Sequence, residues 1–90
     1  MNIKGAVKDA SGSMAGVVVT VTSESKDDVL TYTITDSAGE FLLKNVDMTK
    51  GKFIRARLMG YANQKIALDE NRLYYSFLLT EESIELNEVL

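Results

Sequence analysis

Apolar and polar residues alternate with a two-residue period from the start of this chain, where Ile3, Gly5 and Val7 interleave with Asn2, Lys4, Ala6 and Lys8. Successive strand side chains project to opposite faces, so this period marks a half-buried β-strand. Asp9-Ala10-Ser11-Gly12 then supplies a turn: an aspartate accepts backbone hydrogen bonds two residues on, and Gly12 tolerates positive φ. A second strand runs from Gly16 to Thr22 with Val17, Val19 and Val21 on one face, and the polar run Ser23-Glu24-Ser25-Lys26-Asp27-Asp28 is the loop after it. From Val29 to Thr35 the set Leu30, Tyr32 and Ile34 is expected to point inward, with Thr31, Thr33 and Thr35 facing solvent.

Asp36 through Gly39 is expected to close a hairpin by a type I turn with Gly39 in the left-handed region. Phe41 and Leu43 continue inward and Val46 extends that face, before the polar loop Asp47-Met48-Thr49-Lys50-Gly51. Ile54, Ala56 and Leu58 alternate with Phe53, Arg55 and Arg57; Met59-Gly60 turns the chain into a strand from Tyr61 to Leu68, where Ile66 and Leu68 point in. After Asp69-Glu70-Asn71 comes a last strand, Leu73 to Thr80, whose Tyr75, Phe77 and Leu79 fill the core while Tyr74 and Leu78 project outward. Short strands at spacings of about 8 to 12 residues, with no helical period of useful length, predict an all-β, seven-stranded sandwich. The chain has no proline, so charged side chains must protect its sheet edges.

Ninety residues make one domain, and 46% apolar with 26% charged residues is ordinary globular composition. The sandwich is expected over residues 1–80, with 81–90 as a linker tail. Ten basic against thirteen acidic residues give a net charge of −3, which argues against nucleic-acid binding. With no cysteine and no histidine, nucleophilic triads, histidine- or thiolate-bound zinc and an imidazole base are excluded. Only carboxylate, lysine or tyrosine chemistry survives. No stretch approaches the ~20 apolar residues of a membrane helix, and the N-terminus shows no apolar signal core. The start at Met1-Asn2-Ile3 and the end within an apolar-acidic pattern read as a piece of a longer protein.

The candidate sites divide between chemistry and architecture. Asp9 and Asp36 sit in spacings that resemble cation loops, but calcium needs about 6 to 8 oxygens, and turn capping explains both; no metal or cofactor is expected. Arg55 and Arg57 share a face with Lys65 nearby, which suits either a solvated surface or the carboxylates of a partner. Tyr74 and Leu78 form an exposed aromatic-aliphatic pair, a candidate partner surface. Tyr61, directly after Gly60, reads as a corner residue with its hydroxyl on a backbone partner, with carbohydrate stacking as the alternative. Glu81, Glu82, Glu85 and Glu88 lie in a tail, without the fixed geometry acid-base catalysis needs. No residue reads as catalytic, and the chain is expected not to be an enzyme.

Four motifs in order resemble the carboxypeptidase-regulatory-like domain: Gly5-Ala6-Val7-Lys8-Asp9-Ala10-Ser11-Gly12, Ala15-Gly16-Val17, Thr35-Asp36-Ser37-Ala38-Gly39-Glu40-Phe41 and Met59-Gly60-Tyr61. Ala15 stands where that family usually has proline, and Met59 where it usually has isoleucine. The resemblance implies a transthyretin-like (prealbumin-like) Greek-key sandwich in which Asp9, Gly12, Gly16, Asp36, Gly39, Gly60 and Tyr61 are structural turn residues. The segment Leu79 to Val89 is similar to the one that joins such domains to the plug of TonB-dependent outer-membrane transporters, with Asn87 in Leu86-Asn87-Glu88-Val89 replacing the usual Asp. That likeness implies the periplasmic side of the outer membrane of a Gram-negative bacterium, and nutrient uptake as the setting. The implied partners are proteins: the rest of the parent chain and a periplasmic energy-coupling protein reached through Ile84, Leu86, Asn87, Glu88 and Val89, with no membrane insertion by this stretch itself. Ile84 and Leu86 alternate with Glu85 and Asn87 beyond a sandwich complete at Thr80, so residues 81–90 are expected to be mobile or extended along a sheet edge. A nutrient (glycan) binding module and an accessory domain of a peptidase remain as alternatives, separated by the parent sequence after Leu90: barrel strands or a zinc-peptidase signature.

Overall fold

A computed structural model describes residues 1–24 and 28–82. Among them the regular elements are all strands: β1 (Ile3–Asp9), β2 (Gly12–Ser13), β3 (Val18–Thr22), β4 (Val29–Ile34), β5 (Glu40–Leu43), β6 (Phe53–Arg57), β7 (Gln64–Ala67) and β8 (Tyr74–Leu78). The seven expected strands correspond to β1 and β3 to β8; the two-residue β2 pairs with the end of β1 through Lys8↔Ser13 and Asp9↔Gly12. The strands form two packed sheets. In the first, β1 is central, antiparallel to β5 (Ile3↔Leu43 to Ala6↔Glu40) and parallel to β8 (Lys4↔Tyr74 to Lys8↔Leu78). The second sheet is antiparallel in the order β4-β3-β6-β7.

Alternation places the core between them. Ile3 and Val7 of β1, Phe41 and Leu43 of β5, and Tyr75 and Phe77 of β8 are buried, with Leu79 just beyond. They meet Val17, Val19 and Val21 with Ile54 and Ala56 from the second sheet. Gly5 shares a row with Phe41 and Tyr75, and a Cβ there would run into the Phe41 ring and the Tyr75 carbonyl. The missing side chain is what lets the Phe41 ring lie over β1 and reach Phe77, at 6.3 Å between ring centroids.

Two expectations fail at β4. Leu30, Tyr32 and Ile34 are exposed, whereas Thr31 and Thr33 are half-buried and Thr35 is buried. Register explains the inversion. Thr33 and Thr31 pair with Val19 and Val21, whose side chains face the core, so the threonines share that face. Thr35 fixes the parity: its hydroxyl donates to the Met14 carbonyl at 2.7 Å and accepts from the Val17 N–H at 2.9 Å. A bulge opposite Val21 and Thr22 then skips Leu30, and Val29 pairs with Thr22.

The second failure concerns the connection after β4. The Asp36 turn closes locally, with Gly39 N–H donating to the Asp36 carbonyl and Asp36 N–H to the Glu40 carbonyl, each at 2.9 Å. Yet β4 and β5 belong to different sheets, so the turn carries the chain across the sandwich instead of closing a ladder. The local bonds are those of a hairpin; the distant partner β1 decides where β5 goes. Gly39 has φ +76° there, and its carbonyl accepts from Val7 N–H at 2.7 Å.

Candidate functional site

The turns at Asp9, Asp36, Asp47 and Asp69 share one device, a carboxylate folded back on its own backbone. Asp9 Oδ1 accepts from the N–H groups of Ser11 (2.8 Å) and Gly12 (3.1 Å), and Asp36 Oδ1 from those of Ala38 and Glu40 (both 2.9 Å). Asp69 Oδ1 accepts from Asn71 N–H at 2.9 Å. Asp47 Oδ1 takes the Thr49 hydroxyl at 2.6 Å and the Thr49 N–H at 2.9 Å; these bonds hold its carboxyl below the usual carboxylate range. Such carboxylates lock loops, and among the described residues no three acidic side chains gather as a metal ion would need. Gly12, Gly16, Gly39 and Gly60 all take positive φ beside these and the neighbouring turns.

Tyr61 does something other than expected. Its hydroxyl donates to Asp9 Oδ2 at 3.2 Å rather than to a backbone group, tying the corner after β6 to the turn after β1. Desolvation first, then the hydrogen bond to Asp9 and the charges of Asp9 and Glu81, raise its pKa above the usual 10.0. The tyrosine with a backbone partner is Tyr75, which sequence reasoning placed only as core filler. Its hydroxyl accepts from Asp69 N–H at 2.9 Å and donates to the Asp69 carbonyl at 3.2 Å, under the Arg72 guanidinium at 4.5 Å from the ring centroid.

Two open concavities meet at Tyr61. One of about 560 Å³ is lined by Val18, Arg57, Leu58, Met59, Gly60, Tyr61 and Asn63. The other, of about 360 Å³, lies among the Asp9 turn, Leu78 to Glu81 and Tyr61. Between them the chain leaving β8 runs antiparallel to the corner: Ala62 N–H donates to the Thr80 carbonyl and Glu82 N–H to the Gly60 carbonyl, both at 2.9 Å, around a Tyr61↔Glu81 bridge. Ile84, Leu86, Asn87, Glu88 and Val89 lie outside the described residues.

Tyr74 and Leu78, the candidate partner pair, are 56% and 55% exposed on β8, paired in register with Lys4 and Lys8 of β1. The outer face of the second sheet carries more. Ile34, Val18 and Arg57 form one cross-strand row, and Tyr32, Thr20, Arg55 and Lys65 the next. The Lys65 ammonium stands 4.5 Å from the centroid of the Phe53 ring. Tyr32 and Ile34 were missed as surface residues because their hydrophobicity argued for the core; the parity of Thr35 is the signal that places them outside.

The geometry defines a small β-sandwich module, held by Asp-capped turns, with its notable features on its outer faces. More narrowly, the chain belongs to the CarboxypepD_reg-like domain family, whose model matches residues 3–90. No curated protein matches it.

Proposed function

We propose that this chain is a non-enzymatic accessory domain on the periplasmic side of an outer-membrane transporter, or a related outer-membrane protein of a Gram-negative bacterium, and that it acts through protein contacts. Membership in the CarboxypepD_reg-like family supports the accessory role. The observation that supports the non-enzymatic part is how the aspartates are engaged: Asp9, Asp36, Asp47 and Asp69 each give one oxygen to the backbone of their own turn, and Asp9 gives its other oxygen to the Tyr61 hydroxyl, a structural use of these carboxylates. The setting rests on the likeness of Leu79 to Val89 to the segment that precedes a transporter plug.

The test uses the full-length gene product in its own cell. Removing residues 3–80 from it should reduce nutrient uptake while leaving the remainder in the outer membrane, and protease added to permeabilised cells should reach the domain only from the periplasm. A cytoplasmic location, a zinc-peptidase module after Leu90, or unchanged uptake would each overturn the proposal.

A further inference from the structure

Charge is divided unevenly between the two sheets. β3, β4, β6 and β7 read VVTVT, VLTYTI, FIRAR and QKIA, so the second sheet holds Arg55, Arg57 and Lys65 and no carboxylate, in a chain of net charge −3. The three cations share the outer face, because Ile54 and Ala56 between the arginines are buried. Register sets Arg55 directly opposite Lys65, an arrangement of like charges that disfavours the sheet. Among the described residues no carboxylate forms an ion pair with any of the three, and Arg55 Nε is shielded from water without an acceptor.

The same face is apolar at its other side. Tyr32 is 64% and Ile34 54% exposed, and Met59, 93% exposed, rims the 560 Å³ concavity beyond Arg57. Residues two apart on a strand repeat about every 6.8 Å, and an extended peptide repeats its same-face side chains at that period too. Two carboxylates spaced two residues apart therefore match Arg55 and Arg57, and the next side chain on that face falls in the concavity between Val18 and Met59.

We propose that the outer face of the second sheet docks an extended acidic polypeptide segment of the pattern Glu-x-Glu-x-aliphatic. The first carboxylate lies between Arg55 and Lys65, the second meets Arg57, and the aliphatic side chain enters the concavity. This deepens the reading of the chain as a protein-contact module and rests on it. Binding is measured on the chain itself, so its failure leaves the cellular setting intact, and failure of the deletion experiment leaves this face intact.

The experiment titrates the ¹⁵N-labelled chain with the peptide acetyl-Ser-Glu-Ser-Glu-Ser-Leu-Ser-amide and with its counterpart carrying Lys for Glu. The acidic peptide should shift the amides of Val18, Arg55, Arg57, Met59 and Lys65 and leave Tyr74 and Leu78 unmoved; the basic peptide should shift none. Arg57→Glu, at an exposed position, should weaken binding about fivefold, the upper end for one exposed ion pair. Lys8→Glu, at an exposed position of the first sheet beside Leu78, should not. An unmoved face, equal response to both peptides, or wild-type affinity in Arg57→Glu overturns the proposal. So does binding to phosphatidylglycerol vesicles without binding to the peptide, which would make the face a lipid surface.

Discussion

Alanine at Gly39 and alanine at Gly60 separate two penalties that a glycine avoids. Both positions have positive φ, +76° and +90°, so either variant meets left-handed strain of about 1–2 kcal/mol. Only Gly39 has a wall. A Cβ there would lie 2.7 Å from the Val7 carbonyl oxygen and 2.9 Å from the Met14 nitrogen, whereas at Gly60 nothing lies within 4 Å. Those two atoms are themselves hydrogen-bonded, Met14 N–H to the Val7 carbonyl at 2.9 Å, and the new methyl wedges between them.

Disrupting that bond adds about 1–3 kcal/mol, so Gly39→Ala should cost about 2–5 kcal/mol and Gly60→Ala about 1–2. A domain of 90 residues has a total stability of about 5–13 kcal/mol, so the first loss is a large fraction of it. In thermal melts followed by circular dichroism, the two variants should differ in Tm by roughly 5–20 °C. Ser37→Ala, at an exposed position in the same turn, serves as the control and should melt close to wild type. Equal midpoints for the two glycine variants would refute the claim that close backbone approach, beyond φ, selects glycine at position 39.

Thr35→Val should destabilise by about 2–4 kcal/mol, because it strands the Met14 carbonyl and the Val17 N–H, while Thr35→Ser keeps both bonds and should lose less than about 1 kcal/mol; equal urea midpoints would contradict the parity argument. The folded protein holds the Tyr61 proton to higher pH than the unfolded chain, so its contribution is complete below the unfolded value near 10.0 and is lost as pH rises through the folded value. Tyr61→Phe should therefore flatten the fall in stability between about pH 9 and 11, and an unchanged slope would remove Tyr61 from that account. The isolated chain should hydrolyse neither peptide nor glycan substrates; turnover that disappears on replacing one Asp or Glu would show that a catalytic site exists.

Much of the fold was legible because the two-residue period runs unbroken along several strands. Val17, Val19 and Val21 face the core together, as do Tyr75, Phe77 and Leu79, even though Val18 and Leu78 between them are apolar as well. The Asp-x-x-Gly turns were equally visible, for their hydrogen bonds stay within a few residues. What local pattern does not contain is the distant partner. The parallel pairing of β8 with β1 joins opposite ends of the chain, and the assignment of β5 to β1 in place of β4 depends on contacts over thirty residues away. Tyr61 and Asp9, 52 positions apart, meet only once both sheets are assembled.

The misread strand also helps to choose between the two exposed faces. A two-residue period states that β4 has two faces without saying which is buried; hydrophobicity favoured one and the Thr35 bonds enforce the other. The outcome exposes Tyr32 and Ile34 on the face where Arg55 and Lys65 already stand opposed, so two locally unfavourable choices fall together. On the first sheet Tyr74 and Leu78 are exposed as well, but each is paired across the ladder with a lysine, and Ser76 separates them. Isolated apolar residues among charges are ordinary surface. The Phe53 ring takes up part of the Lys65 charge, but among the described residues no carboxylate pairs with Lys65 or Arg55, and places where local rules fail tend to be functional. An acidic segment along β6 would relieve the repulsion and cover Val18 and Met59 beside it, which the surface around Tyr74 and Leu78 does not call for.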